Sequence, residues 1–227
     1  MTYRMRVNVY VDGFNLYNGL LRESDYRWLN PVELFDRIFV DYEVNLVRFF
    51  TAVLKGKASP GDPGIVARQM VYLRALATIE RLQTHLGRFE VRASRYRRRF
   101  REPSESEMVD VWRPEEKGSD VNLATYLVRD AFLDTADVYV IVSNDSDLET
   151  PIRLVATELG KRVFLVFPHG RESRDLMECG HERVVWISTG RLAESLLPNP
   201  VMAETVPLFR PAEWLPNPDR RIARQMK

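Results

Sequence analysis

The sequence predicts an α/β protein with a mostly parallel central sheet and helices on both of its faces. Short runs rich in valine, isoleucine and aromatic residues alternate with segments of helical periodicity along most of the 227 residues. This alternation is typical of βαβ units, which align their strands in parallel and cover the sheet with helices. The apolar content of 45% is that of an ordinary globular domain.

Six apolar runs are predicted strands, because β-branched and aromatic residues favour an extended chain and the runs are short for helices. They cover residues 6–11, 45–53, 88–93, 137–142, 162–167 and 184–187. Apolar residues at intervals of three and four predict six helices, at residues 14–21, 31–39, 63–85, 119–133, 150–159 and 190–196. Ser119 is the predicted N-cap of its helix, and Gly160 is predicted to follow the end of another.

Two segments interrupt the alternation. Residues 94–118 alternate arginine with aromatic residues and are predicted to form a β-hairpin or a flexible arm. Residues 198–227 hold six of the thirteen prolines, so they are predicted to run as an extended tail, with Leu208, Phe209 and Trp214 as potential anchors. The predicted domain therefore spans residues 1–197, with 94–118 as an insertion.

Composition limits the classes of function. A net charge of +1 excludes a global field for binding polyanions, so any basic surface must be local. The single cysteine, Cys179, excludes an intramolecular disulfide and a cysteine-based zinc cage. Neither a signal peptide nor a membrane span of about 18 apolar residues is recognisable. We therefore expect a cytoplasmic protein that does not enter the membrane; whether it is a homo-oligomer is left open.

Four aspartates follow predicted strands or begin a predicted helix. Asp12 follows the first strand, Asp145 and Asp147 follow the strand at 137–142, and Asp120 begins the helix at 119–133. Ligands bind at the carboxyl edge of the sheet in open α/β folds. Carboxylates that meet there repel one another unless protons or cations join them, and oxygen-only ligand sets suit Mg²⁺ or Mn²⁺. The pattern favours a divalent metal site.

Each aspartate also has a purely structural interpretation. Asp12 can cap a helix, and an acidic first turn suits the helix dipole at Asp120 and around Ser146. Asn15 is placed to hold a carboxylate or a phosphate in the next turn. Lys117, directly before the Asp120 helix, is a candidate phosphate contact. Capping and metal binding are compatible, so both interpretations stay open.

A basic run suggests contact with nucleic acid. Seven arginines fall within residues 88–101, with Phe89, Tyr96 and Phe100 between them. Guanidinium groups bind phosphates and aromatic rings stack on bases, so RNA is the predicted partner. The predicted backbone contacts are Arg95, Arg97, Arg98 and Arg99. Alternatively the run is a solvated charged face, because the acidic segment that follows can pair with it.

Three motifs together resemble the NYN domain family, a branch of the PIN-like nuclease superfamily. They are Val-Asp-Gly-Phe-Asn-Leu-Tyr at 11–17, Lys-Gly-Ser-Asp-Val-Asn-Leu-Ala at 117–124 and Ser-Asn-Asp-Ser-Asp-Leu at 143–148. The resemblance, over about residues 5 to 190, implies a Rossmann-like three-layer α/β/α sandwich of PIN-like type. It also implies metal-dependent hydrolysis of RNA phosphodiester bonds in an acidic cleft.

The resemblance assigns roles to matching positions. Asp12, Asp120, Asp145 and Asp147 would bind Mg²⁺ or Mn²⁺ and carry the catalysis. Asn15 would hold the Asp12 loop in shape, and Ser143 would orient a carboxylate or a phosphate.

One position departs from the family pattern. Many members carry a further aspartate six residues after the one that matches Asp120, where this chain has Tyr126. The first hypothesis is a metal-dependent ribonuclease that acts on single-stranded or structured RNA. A second is a non-catalytic RNA-binding or regulatory module. A third is a protein-interaction module that docks through the tail around Trp214.

Overall fold

A seven-stranded sheet forms the centre of the fold in this computed structural model, which describes residues 4–55, 61–100, 102 and 104–216. Its strands are β1 (Arg6–Asp12), β2 (Glu43–Ala52), β3 (Leu82–Arg97), β4 (Met108–Lys117), β5 (Val138–Val142), β6 (Arg162–Val166) and β7 (Arg183–Val185). Their order is β4-β3-β2-β1-β5-β6-β7. All neighbours are parallel except β3 and β4, which are antiparallel.

Helices cover both faces of the sheet. They are α1 (Gly13–Leu16, continued by a π-helical segment at Tyr17–Leu21), α2 (Pro31–Ile38), α3 (Ile65–Leu76), α4 (Ser119–Phe132), α5 (Glu149–Arg153, continued at Leu154–Glu158), α6 (Arg174–Met177) and α7 (Thr189–Glu194). Along β1, Val9 and Val11 enter the core shared with α2 and α3, whereas Tyr10 enters the core shared with α4 and α5. The predicted α/β/α sandwich is confirmed.

The central strands place the functional loops side by side. All of β5 is buried, as is typical of a parallel strand covered on both faces. The register pairs Val11 of β1 with Val142 of β5. Asp12 directly follows Val11, and Ser143 directly follows Val142. Both residues therefore lie at the carboxyl edge of the sheet.

Two predicted helix boundaries were wrong. The helix expected at 63–85 ends at Leu76, and the chain from Leu82 to Gly87 is a strand paired with β2. Tertiary pairing prevails there because β2 would otherwise leave a row of backbone groups without partners. Ser119 is not the N-cap of α4 but its first residue, and Gly118 is the cap.

The insertion at 94–118 belongs to a long β-hairpin, as one of its two predicted forms required. β3 and β4 pair without interruption from Arg88 and Lys117 to Arg97 and Met108. The strand predicted at 88–93 is therefore only the middle of β3, which reaches far beyond the sheet. We call residues 88–117 the hairpin.

The described part of the predicted tail, residues 198–216, is not extended. Strands β8 (Val201–Ala203) and β9 (Val206–Leu208) form a small antiparallel pair, and a 3₁₀ turn covers Ala212–Trp214. The Trp214 ring lies 6.3 Å from that of Trp28 and 5.8 Å from that of Tyr72, and only 7% of Trp214 is exposed. Burial of apolar rings orders this segment despite its prolines, which short edge strands and turns accept. Residues 217–227 lie outside the described part.

None of the helices in the described ranges has the length and apolar character that a membrane span requires.

Candidate metal centre

Three of the four predicted carboxylates meet at the carboxyl edge of the sheet. Oxygen atoms of Asp12, Asp120 and Asp145 all lie within 4.8 Å of one another. Asp12 is the last residue of β1, Asp145 lies in the loop after β5, and Asp120 is the second residue of α4. We call these three residues the acidic cluster. Separate parts of the chain therefore deliver three hard oxygen donors to one point.

Asp12 is the most firmly held member of the acidic cluster. The backbone and the side-chain amide of Asn15 donate hydrogen bonds to its two oxygens, at 3.0 and 2.6 Å, and the Ser143 hydroxyl donates at 2.9 Å. Asp12 is only 4% exposed. Burial raises the pKa of Asp12, although the hydrogen bonds from Asn15 and Ser143 oppose this shift. A side chain at Gly13 would place its Cβ 2.7 Å from the Phe50 carbonyl oxygen, so glycine is needed where α1 leaves the sheet.

Asp145 combines capping with membership of the acidic cluster. Its carboxylate accepts a hydrogen bond from the backbone of Asp147 at 3.1 Å and so caps the short 3₁₀ helix at Ser146–Leu148. Its own backbone N–H donates to the Ser143 hydroxyl at 3.0 Å. Ser143 thus links Asp12 to Asp145, and Asp145 caps the helix while it lies within the acidic cluster.

Asp120 is positioned by the junction between β4 and α4. The Glu116 carboxylate accepts the Ser119 backbone N–H at 2.9 Å and takes the place of a conventional N-cap side chain. A Cβ at Gly87 would lie 2.6 Å from both the Glu116 carboxylate and the Lys117 carbonyl oxygen, so glycine permits this close approach. Burial, and then the charges of Asp12 and Asp145, raise the pKa of Asp120 to about 6.

The donor set fits a hard divalent cation. Three carboxylates this close together repel one another, and a cation with oxygen ligands removes that repulsion. Mg²⁺ in particular binds a few carboxylates and keeps several water molecules. The Ser119 hydroxyl, next to Asp120 in the chain, is buried without a hydrogen-bond partner among the described residues. The acidic cluster is thus a candidate metal centre by its chemistry.

The other predicted site residues lie at different distances from the acidic cluster. Asn15 and Ser143 contact Asp12 directly. Asp147 is exposed and does not belong to the acidic cluster, although its charge contributes to the raised pKa of Asp120. Lys117 binds Glu115 at 3.0 Å. Glu115 lies on the hairpin face opposite to that of Glu116, because neighbouring strand residues alternate in direction.

The four predicted RNA-contacting arginines lie at the outer end of the hairpin, not at the acidic cluster. Three of them pair with carboxylates at 3.8, 2.7 and 3.5 Å: Arg95 with Asp110, Arg97 with Glu107 and Arg98 with Glu105. The fourth, Arg99, lies over the Phe100 ring. The acidic segment therefore pairs with the arginines, as the alternative interpretation required. Exposed ion pairs of this kind contribute about 0–1 kcal/mol each, so phosphates can replace the carboxylates.

Tyr126 belongs to a separate network that is only partly buried. Its ring lies 4.1 Å from the His85 ring and 4.6 Å from the Arg48 guanidinium. Arg48 in turn forms an ion pair with buried Asp130, which also accepts the Tyr10 hydroxyl proton. Six residues along a helix correspond to about 9 Å. Tyr126 therefore lies almost two turns further along α4 than Asp120, away from the end of the helix that joins the acidic cluster. The three-carboxylate cluster forms without an acid at position 126.

Sequence reasoning missed Gly87 and Glu116, which position Asp120. Glu116 was only one of several acids after the arginine run, and Gly87 fell between a predicted helix and a predicted strand. The signal that does exist is indirect. A glycine inside a strand pattern often marks a close backbone approach.

An apolar cavity adjoins the Asp12 turn. It has a volume of about 80 Å³, and its lining includes Gly13, Phe14, Thr51 and Trp214. Gly13 follows Asp12 directly in the chain, whereas Trp214 belongs to the core shared with α2 and α3.

Comparison with known proteins gives three results. A curated relative, 6-hydroxy-3-succinoylpyridine 3-monooxygenase HspA of Pseudomonas putida, is 28% identical over 95% of this chain and 77% of its own length. A solved structure of a protein of unknown function from Vibrio parahaemolyticus shares 17% identity and a TM-score of 0.50, over 87% of this chain and all of its own. At that identity it supports the fold alone. The sequence profile of the NYN domain matches residues 6–185, and the protein therefore belongs to the NYN domain family.

Proposed function

We propose that this protein is a metal-dependent ribonuclease that hydrolyses RNA phosphodiester bonds at the acidic cluster. The observation that carries the proposal is the convergence of Asp12, Asp120 and Asp145 to within 4.8 Å. Membership of the NYN family supports a nuclease-like fold around these residues. The fit of three carboxylates to Mg²⁺ or Mn²⁺ supports a metal requirement.

In this proposal each residue of the site has a defined task. A divalent cation, when bound, supplies charge for the scissile phosphate and lowers the pKa of an attacking water. Asp12 would be a metal ligand whose carboxylate is held in one orientation by its hydrogen bonds with Asn15 and Ser143. Asp120 would provide a further carboxylate ligand. Burial first, and then the charges of Asp12 and Asp145, raise its pKa, and a bound cation would favour its charged form. Asp147, at the exposed side, orients water.

Positioning and charge stabilisation provide most of the rate enhancement in phosphodiester cleavage. The expected products carry a 5′-phosphate and a 3′-hydroxyl. Mass spectrometry of the cleaved ends checks this part of the proposal.

The decisive experiment incubates labelled single-stranded and structured RNA with Mn²⁺, Mg²⁺ or EDTA. Wild type should cleave with a divalent ion and not with EDTA. Asp120→Asn should lose cleavage and keep RNA binding, because the charge that completes the acidic cluster is gone while the shape of the side chain remains. The matched control is Asp41→Asn, since Asp41 is exposed and precedes the opposite, amino end of β2.

Full activity of Asp120→Asn would contradict the assignment of the site. Metal-independent binding of RNA, with no cleavage by wild type under any of the ions, would instead support the second hypothesis of a non-catalytic RNA-binding module.

A second candidate function is oxidation of a small pyridine. The observation that favours it is the 28% identity with a pyridine monooxygenase over 95% of the chain, together with the apolar cavity beside Asp12. A monooxygenase needs dioxygen and two electrons from a reductant. Consumption of 6-hydroxy-3-succinoylpyridine under air with NADH as reductant, followed by absorbance, tests it. Turnover of the pyridine without RNA cleavage would replace the ribonuclease proposal.

A further inference from the structure

The hairpin rises from the edge of the sheet where the acidic cluster lies. β3 pairs with β2 only as far as Gly87, opposite Ala52. Beyond Gly87 it pairs with β4 alone, as a two-stranded ribbon. Because β3 runs parallel to β1, the ribbon continues past the same carboxyl edge that carries Asp12. It therefore stands next to the acidic cluster.

One face of the hairpin borders the acidic cluster. Phe89 and Glu116 are cross-strand partners, and side chains of directly opposed residues point to the same face. The Phe89 ring lies 6.4 Å from that of Phe14, two residues after Asp12. Glu116 binds Ser119 and contributes to the raised pKa of Asp120. We call the face that carries Phe89 and Glu116 the inner face.

Strand alternation extends the inner face outward from the acidic cluster. The next pairs on it are Val91 with Pro114, Ala93 with Trp112, Arg95 with Asp110 and Arg97 with Met108. Trp112 is 68% exposed, and the small partner Ala93 leaves its indole open. Tyr96 lies on the opposite face, under the Arg113 guanidinium. The exposed ring that faces the site is therefore Trp112.

We propose that the inner face binds a single strand of RNA, with Trp112 as the platform on which one base stacks. This inference rests on the proposed function and names the substrate class of the same site. Ala93, the cross-strand partner of Trp112, is four positions beyond Phe89, which corresponds to about 13 Å along the ribbon. At about 3.4 Å per stacked nucleotide, about four nucleotides span the distance from Phe89, which borders the acidic cluster, to the stacked base.

The chemistry of the inner face selects single-stranded nucleic acid over a protein partner. An exposed indole with Arg95 and Arg97 beyond it combines a stacking surface with phosphate-binding groups. The carboxylate partners of these two arginines are themselves exposed, at 88% for Asp110 and 53% for Glu107, so the pairs are weak and exchange readily for phosphates. Bases in a duplex are already stacked on each other and have no face to offer Trp112.

The test measures affinity for a labelled 12-nucleotide single strand and for the matched duplex, in EDTA so that cleavage does not interfere. Trp112→Ala should weaken single-strand binding by about fivefold to a hundredfold, the range for loss of one stacked base. Trp112→Phe should recover part of the affinity. Trp186→Ala is the matched control, because Trp186 is 46% exposed and follows the edge strand β7 at the far side of the sheet.

Each outcome bears on the inference. Unchanged single-strand affinity in Trp112→Ala, equal affinity of wild type for the duplex, or no binding by wild type would overturn it. A larger solution mass of wild type that Trp112→Ala abolishes, with RNA affinity unchanged, would overturn it in favour of self-association. Single-strand binding that depends on Trp112 supports the inference even if no ion induces cleavage. If wild type cleaves RNA but Trp112→Ala binds RNA as tightly as wild type, the inference about Trp112 is wrong and the ribonuclease proposal is unaffected.

Discussion

Ser143 donates its hydroxyl proton to the buried carboxylate of Asp12 at 2.9 Å, across 131 residues of sequence. The same oxygen accepts the Asp145 backbone N–H at 3.0 Å. One side chain therefore links two acids, of which Asp12 ends β1 and Asp145 lies in the loop after the neighbouring strand β5. Groups that hold metal ligands in this way usually affect the metal centre almost as strongly as the ligands do.

Ser143→Ala should weaken the metal centre without destroying the fold. Asp12 loses a donor in a buried place, and the Asp145 N–H loses its acceptor. We expect a loss of about 10- to 100-fold in metal affinity or in cleavage rate. Titration of cleavage with Mn²⁺ measures it, and Ser143→Thr, which keeps the hydroxyl, should recover activity. Equal metal dependence of Ser143→Ala and wild type would refute the linking role.

Asp120→Asn should stabilise the metal-free protein at neutral pH. The pKa of Asp120 is about 6 in the fold, against an ordinary value of 3.8. Between these two values the folded state holds the proton that the unfolded state has released, so stability falls as the pH rises from about 4 to 6. Asp120→Asn cannot lose stability in this way, so above pH 7 its free energy of unfolding should exceed that of wild type by about 1–2 kcal/mol. This value is reduced to allow for the partial exposure of Asp120.

Urea unfolding in EDTA at pH 4 and pH 7.5 checks this prediction. The free energies of unfolding of the two proteins should agree at the lower pH and diverge at the higher one. The same difference at both values would show that ionisation of Asp120 is not the cause.

Divalent cations should raise the melting temperature of wild type. A ligand at 100 times its dissociation constant stabilises the folded state by about 2.7 kcal/mol, which for a chain of this size corresponds to roughly 5–10 °C. Asp12→Asn and Asp120→Asn should lose most of this increase, whereas Asp41→Asn should keep it. Differential scanning fluorimetry with Mn²⁺, Mg²⁺ and EDTA provides the measurement. An equal increase in all four proteins would place the bound ion elsewhere.

Gly87→Ala should displace Asp120 from the acidic cluster. The new Cβ would lie 2.6 Å from the Lys117 carbonyl oxygen and 3.0 Å from the Ser119 nitrogen, so the β4–α4 junction must move. Overpacking of this kind costs about 1–3 kcal/mol, and a shift near 1 Å at the site can reduce the rate about 100-fold. Cleavage assays and thermal unfolding measure both effects.

Gly61→Ala is the matched control for Gly87→Ala, because a Cβ at Gly61 would meet no atom of the described residues within 4 Å. Cleavage by Gly87→Ala at the wild-type rate would show that the position of Asp120 does not depend on the close approach at Gly87.

The sequence predicted the alternation, and with it the fold, because β1 and β5 are short runs rich in valine and α4 has a clear helical period. It predicted Asp12, Asp120 and Asp145 as one group because parallel strands end at one edge. It did not predict the start of β3, since residues 82–87 form a strand only because they pair with β2, a tertiary contact. The role of Glu116 was equally hidden, because a side chain that replaces a helix cap has no fixed spacing.

The packing of Trp214 against Trp28 and Tyr72 bears on where this domain can be cut. The family match ends at residue 185, and the boundary predicted from the sequence was 197. A fragment that stops at either point leaves those two rings uncovered and removes the cover of the cavity beside the Asp12 turn. Minimal versions for expression or crystallisation should therefore extend at least to residue 216, because residues that pack into the core continue beyond the stretch that the family profile matches.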